Sequence, residues 1–195
     1  ILVTGATSGI GNAIANKLKE SGGNVIGVSR IEKDKHKFDG KCIVIELTNE
    51  EQIKEELAKI EKPDILINCA GLGIDEKEIT ETTSEEWDLM MDCNLKSMYV
   101  LTRELVPHMK ENKYGVIINM SSIFHKGEQG QCLYSTCKSG VLGFTNSLAI
   151  LIFLAQLPEL YNGNIEMYLL VTFGLFIIYT LPYFIKFFPS PLACI

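Results

Sequence analysis

Thr4-Gly5-Ala6-Thr7-Ser8-Gly9-Ile10-Gly11 is the stretch that decides the fold. An apolar start, Ile1-Leu2-Val3, precedes it, and a helical pattern, Ile10, Ala13, Ile14 and Leu18, follows. Strand, glycine turn and helix in that order form the context of a nucleotide-phosphate site. The glycines allow a tight turn and a close backbone approach, and a pyrophosphate meets the helix N-terminus. The three residues between Gly5 and Gly9 depart from the commoner dinucleotide spacing, and a plain βα turn is the alternative reading.

Working outward, the first 149 residues alternate between short Val- and Ile-rich runs and helical patterns. Strands are expected at 1–4, 24–28, 42–46, 64–68 and 116–120, and helices at 9–21, 50–60, 84–112 and 131–149. The strands are nearly continuous in apolar character, as in a sheet covered on both faces. Gly22-Gly23 closes the first helix, and Pro63 follows the end of another. Thr83-Ser84-Glu85-Glu86 offers hydroxyls and acids at a helix start. The fold class is α/β: a doubly wound, Rossmann-like parallel sheet, incomplete on its C-terminal side.

Composition narrows the partners. The 195 residues suffice for one domain with a real core, the net charge is −6 and the pI is about 5.2. No basic patch points to nucleic acid; Lys33, Lys35 and Lys37 alternate with Asp34 and His36 in what reads as a solvated loop. Cys42, Cys69, Cys93, Cys132, Cys137 and Cys194 lack metal-ligand spacing. Their apolar surroundings, with no signal peptide visible, point to a reducing cytoplasm and to no metal. The glycosylation sequon Asn119-Met120-Ser121 is discounted because it lies in an expected buried strand. The chain has no initiating Met and opens on its first strand, so a few leading residues are expected to be missing.

The character changes late. Residues 139–195 carry three charged side chains, Glu159, Glu166 and Lys186. Residues 167–185 are an uncharged run of 19, long and apolar enough for a membrane candidate. Gly174 and Pro182 inside it are tolerated in a membrane helix. Three readings stand: a membrane segment, an aberrant tail after about residue 149, or a buried strand and helix of the same domain. The domains are accordingly 1–149 and an atypical hydrophobic segment, 150–195.

The chemistry gathers in Tyr134-Ser135-Thr136-Cys137-Lys138. At four-residue spacing on a helix, Tyr134 and Lys138 leave the same face. A phenol has a reference pKa of about 10, and bringing it to about 7 requires roughly 4 kcal/mol. One ammonium at about 4 Å supplies on the order of 4 kcal/mol at an effective dielectric of 20. The alternative for such a pair is a solvated helix surface.

With the glycine turn, Asn68-Cys69-Ala70-Gly71 and the Tyr/Lys pair in order, residues 1 to about 149 resemble the classical short-chain dehydrogenase/reductase family. The resemblance implies an NAD(P)-binding domain that carries its own active site. Gly5, Gly9 and Gly11 would shape the phosphate turn, with backbone contacts from Ser8 and Ile10. Asn68, Ala70 and Gly71 would support the cofactor's ribose and adenine side, and Leu47 would pack by the adenine. Asn94 would hold a water in a proton relay; the other reading is a helix cap or kink. Ser122 would hydrogen-bond the substrate carbonyl, with Ser121 a live alternative, because the segment from Ser122 to Tyr134 is one residue shorter than the commonest family spacing. Tyr134 would be the general acid/base. Lys138 would bind the nicotinamide ribose and tune the phenol.

The second strand ends in Gly27-Val28-Ser29-Arg30. A guanidinium suits a 2′-phosphate where an acid would suit a ribose diol, and Ser29 adds a hydroxyl. NADP(H) is therefore expected over NAD, with a surface Arg as the alternative. Glu46 stands where the family usually has Asp. The family's Pro-Gly turn after the sixth strand has no counterpart in this sequence. Three functions follow as expectations: reversible oxidoreduction of a small-molecule carbonyl or alcohol; a catalytically impaired remnant or cofactor-binding module; and a membrane-associated reductase of a lipid or sterol-like carbonyl. By analogy with the family, the chain is also expected to pair with itself through its later helices.

Overall fold

A computed structural model describes the backbone of residues 1–73, 76–161 and 168–172, and the side chains of residues 1–149 other than 33, 74 and 75. Its elements run β1 (Leu2–Thr4), α1 (Gly9–Glu20), β2 (Ile26–Ser29), β3 (Lys41–Val44), α2 (Glu50–Ala58), β4 (Ile65–Asn68), α3 (Ser84–Met91), α4 (Ser97–Glu111), β5 (Tyr114–Asn119), α5 (Cys132–Tyr161) and β6 (Tyr168–Thr172). The strands form one sheet in the order β3-β2-β1-β4-β5-β6, and every pairing is parallel. The expected doubly wound architecture is thus present.

Strand periodicity explains the two layers. Neighbouring residues point to opposite faces of a sheet. Leu2, Leu66 and Ile117 fall on one face with Ile53 and Leu57 of α2 and Val100, Leu101, Leu105 and Met109 of α4. Val3 and Ile67 fall on the other with Ala15 of α1 and Phe38, and Ile14, Leu18 and Ile118 close around them. Phe38 ends a 3₁₀ turn over Glu32–Lys37, the segment expected as a solvated loop. Asn119 is fully buried in β5, in keeping with the discounted sequon.

Caps follow the sequence. Asn49 accepts the Gln52 N–H at the start of α2. Thr83 and Glu86 exchange side-chain and backbone bonds in a capping box that opens α3. Gly22, with φ +87°, ends α1.

Two expected helices differ in extent. The span 84–112 is broken by a π-helical turn, Asp92–Lys96, between α3 and α4. The helix expected to end at 149 continues as α5 to Tyr161, so 149 falls within it. Of the apolar run 167–185, residues 168–172 form β6, paired with β5 from Tyr114↔Tyr168 to Ile118↔Thr172. Residues 167 and 173–185 lie outside the described residues. Among the described residues, no helix is long and apolar enough to cross a membrane.

The strand order reverses at β1, which lies between β2 and β4. In open α/β sheets, ligands sit outside the C-terminal ends of the strands at such a point. The glycine turn follows β1 there, and Asn68-Cys69-Ala70-Gly71 closes β4 beside it.

Candidate active site

The first wall of the cleft is backbone. Gly5 has φ +69° and donates its N–H to the Val28 carbonyl at 3.1 Å. A side chain at Gly5 would meet Ala70 backbone at 3.2 Å. Gly11 is tighter still: a Cβ there would overlap the Gly5 carbonyl oxygen and sit 2.8 Å from its carbon. Gly9 has φ +51° and open space around its missing Cβ. Ser8 is the N-cap of α1, but its hydroxyl makes no capping bond, and the first turn carries no acid. The leading N–H groups of α1, including that of the exposed Ile10, therefore have no capping side-chain acceptor at the C-terminal edge of the sheet. A diphosphate fits this arrangement: open space over Gly9, uncapped donors, and the positive end of a helix dipole.

Thr4 was not singled out from the sequence, yet it joins the two sides of the switch point. Its Oγ1 accepts the N–H groups of Cys69 and Ala70, each at 2.9 Å. Asn12 braces the same turn, donating to the Ala6 carbonyl at 2.8 Å and the Lys37 carbonyl at 2.9 Å. At the end of β2, the buried Ser29 hydroxyl donates to the Ile31 carbonyl at 2.9 Å and accepts the Ile31 N–H at 3.2 Å. Its bonding is local, whereas the Arg30 side chain is exposed. Leu47 packs against the core cluster under the sheet. The Glu46 carboxylate turns back onto Thr48, accepting its N–H and hydroxyl at 3.4 and 3.1 Å.

The second wall is side chain. Tyr134 and Lys138 share one face of α5, with the Lys138 Nζ 5.5 Å from the Tyr134 ring centroid. Lys138 is buried and donates to the Met120 carbonyl at 3.0 Å. Burial pushes its pKa below the ordinary ammonium range; the nearby Cys137 and Cys69 oppose that shift. Tyr134 is half-buried, and Phe124 meets its ring edge-on at 6.3 Å.

Asn94 lies in the π turn and is buried. Its amide donates to the Leu72 and Met90 carbonyls at 2.9 and 3.0 Å, and its oxygen accepts the Leu72 N–H at 3.1 Å. Gly71 makes that contact feasible: a Cβ there would lie 2.8 Å from the Asn94 Oδ1 and 3.6 Å from the Lys138 Nζ. Asn94, Gly71 and Lys138 are thereby brought together, as are Tyr134 and Lys138.

Ser121 and Ser122 differ in how their hydroxyls are used. Ser121 donates its proton to the Lys138 carbonyl at 3.0 Å. Ser122 accepts the Phe124 N–H at 3.2 Å, which leaves its own proton available. A buried chain of bonds runs from β4 through β5 to α5: Asn68 donates to Asn119 at 2.8 Å, Asn119 to Thr145 at 3.0 Å, and Thr145 to the Val141 carbonyl at 2.7 Å. The Asn68 side-chain amide therefore points across the sheet toward α5. Sequence reading met Asn119 only in a discounted sequon and missed Thr145; strand register sets Asn119 beside Asn68, and α5 carries Thr145 to it. Among the described residues, no cluster of acids, Cys or His is arranged to hold a metal ion.

Residues 1–152 match the family described as short chain dehydrogenase, and the chain belongs to that family. The 3-oxoacyl-(acyl-carrier-protein) reductase of Rickettsia bellii is 40% identical over 156 residues, covering 76% of this chain and 64% of that protein. The chain thus spans less than two thirds of the length of the curated relatives it matches. The crystal structure of serine dehydrogenase from Escherichia coli superposes with a TM-score of 0.71 at 30% identity, over 75% of this chain and 73% of that one. The closed form of serine dehydrogenase complexed with NADP+ superposes at 0.72 and 30% identity, over 75% and 64%.

Proposed function

We propose that the chain is an NADP(H)-dependent oxidoreductase that interconverts a carbonyl and an alcohol on a small molecule. One observation carries the reading: the buried Lys138 amine lies beside the Tyr134 ring, at the same C-terminal edge of the parallel sheet as the uncapped N–H groups of α1. The NADP+ complex of a structural relative supports the cofactor class.

In this reading Gly5, Gly9 and Gly11 shape the turn, and the N–H groups around Ser8 and Ile10 take the diphosphate. Arg30 recognises the 2′-phosphate, while Ser29 fixes the turn that presents it. Leu47, Asn68, Ala70 and Gly71 frame the adenosine side. Bound NADPH supplies the hydride. Ser122 donates its free proton to the carbonyl oxygen of the substrate, and the Tyr134 hydroxyl delivers the proton that completes the alcohol. The cationic Lys138 stabilises the phenolate left behind. Met120 takes one of its three donors, so two remain for ribose hydroxyls. Asn94 holds Leu72 in place, and the second lone pair of its oxygen is what it offers a relay water.

The test uses the full chain. Fluorescence titration with NADPH and NADH reads binding. NADPH oxidation is then followed over a carbonyl panel that begins with 3-oxoacyl thioesters, reduced by one of the matched relatives. Saturable NADPH binding with turnover supports the proposal. Binding without turnover favours a cofactor-binding module, and no binding favours a remnant.

A further inference from the structure

We infer that His125 is a positioning residue for Ser122, and that Ser139 locks the pair to the helix carrying Tyr134 and Lys138. The inference rests on the reading of Ser122 as the hydroxyl that meets the substrate oxygen.

His125 stands in none of the sequence motifs. It lies in the short 3₁₀ turn Ile123–Lys126, which begins right after Ser122. The Ser122 carbonyl accepts two bonds from this one residue: the His125 backbone N–H at 3.1 Å and the ring Nδ1 at 2.7 Å. A carbonyl can only accept, so Nδ1 carries the proton and the neutral ring is the Nδ1–H tautomer. The Ser122 hydroxyl meanwhile accepts the Phe124 N–H. Carbonyl and hydroxyl are thus both held from the same turn, and the free hydroxyl proton has a defined direction.

The turn is in turn fixed to α5. The Ser139 hydroxyl donates to the His125 carbonyl at 2.5 Å, and Ser139 follows Lys138 directly in the chain. Phe124, from the same turn, stacks edge-on against Tyr134. The separation of Ser122 from Tyr134 therefore depends on a clamp running Ser122–His125–Ser139. Chemistry at a shared substrate oxygen is sensitive to such spacing, and a displacement of about 1 Å costs on the order of 10²-fold in rate.

The test compares His125→Leu, which removes the ring donor, with His125→Asn, whose amide can place an N–H near the Nδ1 position. With wild-type NADPH affinity as the check of fold, His125→Leu is expected to lower kcat roughly 10- to 100-fold with little change in KM. His125→Asn should recover most of the loss. Equal impairment of the two variants, or wild-type kcat in His125→Leu, overturns the clamp. Should His125→Leu lose NADPH binding, Ser139→Ala takes its place, with a smaller fall in kcat expected and an unchanged kcat overturning the inference. Ser122→Ala separates the two levels: if it keeps full activity, the role of Ser122 has failed. If it is impaired while both clamp variants are normal, the clamp has failed. A readout independent of turnover is ¹⁵N NMR of labelled histidine at alkaline pH; the chain holds three histidines, and His125→Leu assigns the signal. The Nδ1–H tautomer is expected, and the Nε2–H tautomer overturns the inference whatever the activity.

Discussion

The two walls of the cleft are made of different material. In the proposed function the phosphate wall is backbone from one stretch of eight residues, Thr4 to Gly11, and it depends on the missing side chains of Gly5 and Gly11. The proposed proton-transfer wall is side chain, drawn from the π turn, the turn after β5 and α5, and it would depend on particular atoms being present. A Cβ added at Gly5 or Gly11 crowds the first, and in the proposed function a lost phenol or amine disables the second. Binding and chemistry should therefore fail separately.

Tyr134→Phe gives the largest expected effect. It deletes one oxygen and leaves the ring against Phe124. In the proposed function kcat falls by at least about 10³-fold, about 4 kcal/mol of barrier, while NADPH affinity is unchanged. Steady-state turnover beside a fluorescence titration measures both. Retained turnover would refute the role of the phenol, and loss of binding would break the division between the walls.

Gly11→Ala is the mirror experiment. The added methyl drives into the Gly5 carbonyl, so α1 must move away from β1. Overpacking of this kind costs about 1–3 kcal/mol of stability. NADPH affinity is expected to fall by about 10²-fold, as the donors of α1 leave the phosphate position. A thermal melt and a calorimetric titration decide it; wild-type affinity in this variant would mean that the turn does not hold the diphosphate.

The same contrast explains what the sequence revealed. The glycine turn was legible because its demands are local: positive φ at Gly5 and close approach at Gly11 are written as glycines. Tyr134 and Lys138 were legible because a helix places residues four apart on one face. The π turn was not, because it accompanies a bond from Asn94 to Leu72, 22 residues away, which no periodicity encodes. Nor did the sequence show how each hydroxyl is used. Ser121 and Ser122 are identical neighbours until the Lys138 carbonyl claims the proton of one. The run 167–185 left three readings open for a related reason. A strand buried in a parallel sheet and a membrane segment are equally apolar, and only pairing with β5 distinguishes residues 168–172.

Arg30→Glu sharpens the comparison, because it adds a side-chain determinant to the backbone wall. An acid at this position repels a 2′-phosphate and accepts a ribose diol. The NADPH/NADH affinity ratio should fall roughly 30-fold, about 2 kcal/mol, with kcat at saturating cofactor little altered. Parallel titrations with the two cofactors measure it. An unchanged ratio would make Arg30 an ordinary surface residue.

The smallest effect lies outside both walls and serves as their control. Glu50 on α2 accepts from Lys54 at 2.8 Å and from Arg103 of α4, also at 2.8 Å. These partners, Lys54 first and then Arg103, hold its carboxyl at about 2, against an ordinary 4.5. A carboxylate depressed in the folded state contributes stability above its unfolded pKa and loses it as pH falls through the folded value. The contribution of Glu50 is thus complete above about pH 4.5 and fades toward pH 2. Glu50→Gln should lower Tm slightly at pH 7, and the gap to wild type should close across that window. Because the pair is solvent-exposed, added salt should shrink the gap at neutral pH. NADPH affinity and kcat should not move. A gap that widens as the pH falls would show that Glu50 is not held by its cations, and a change in NADPH affinity would show that the outer face of α2 and α4 is coupled to the cleft after all.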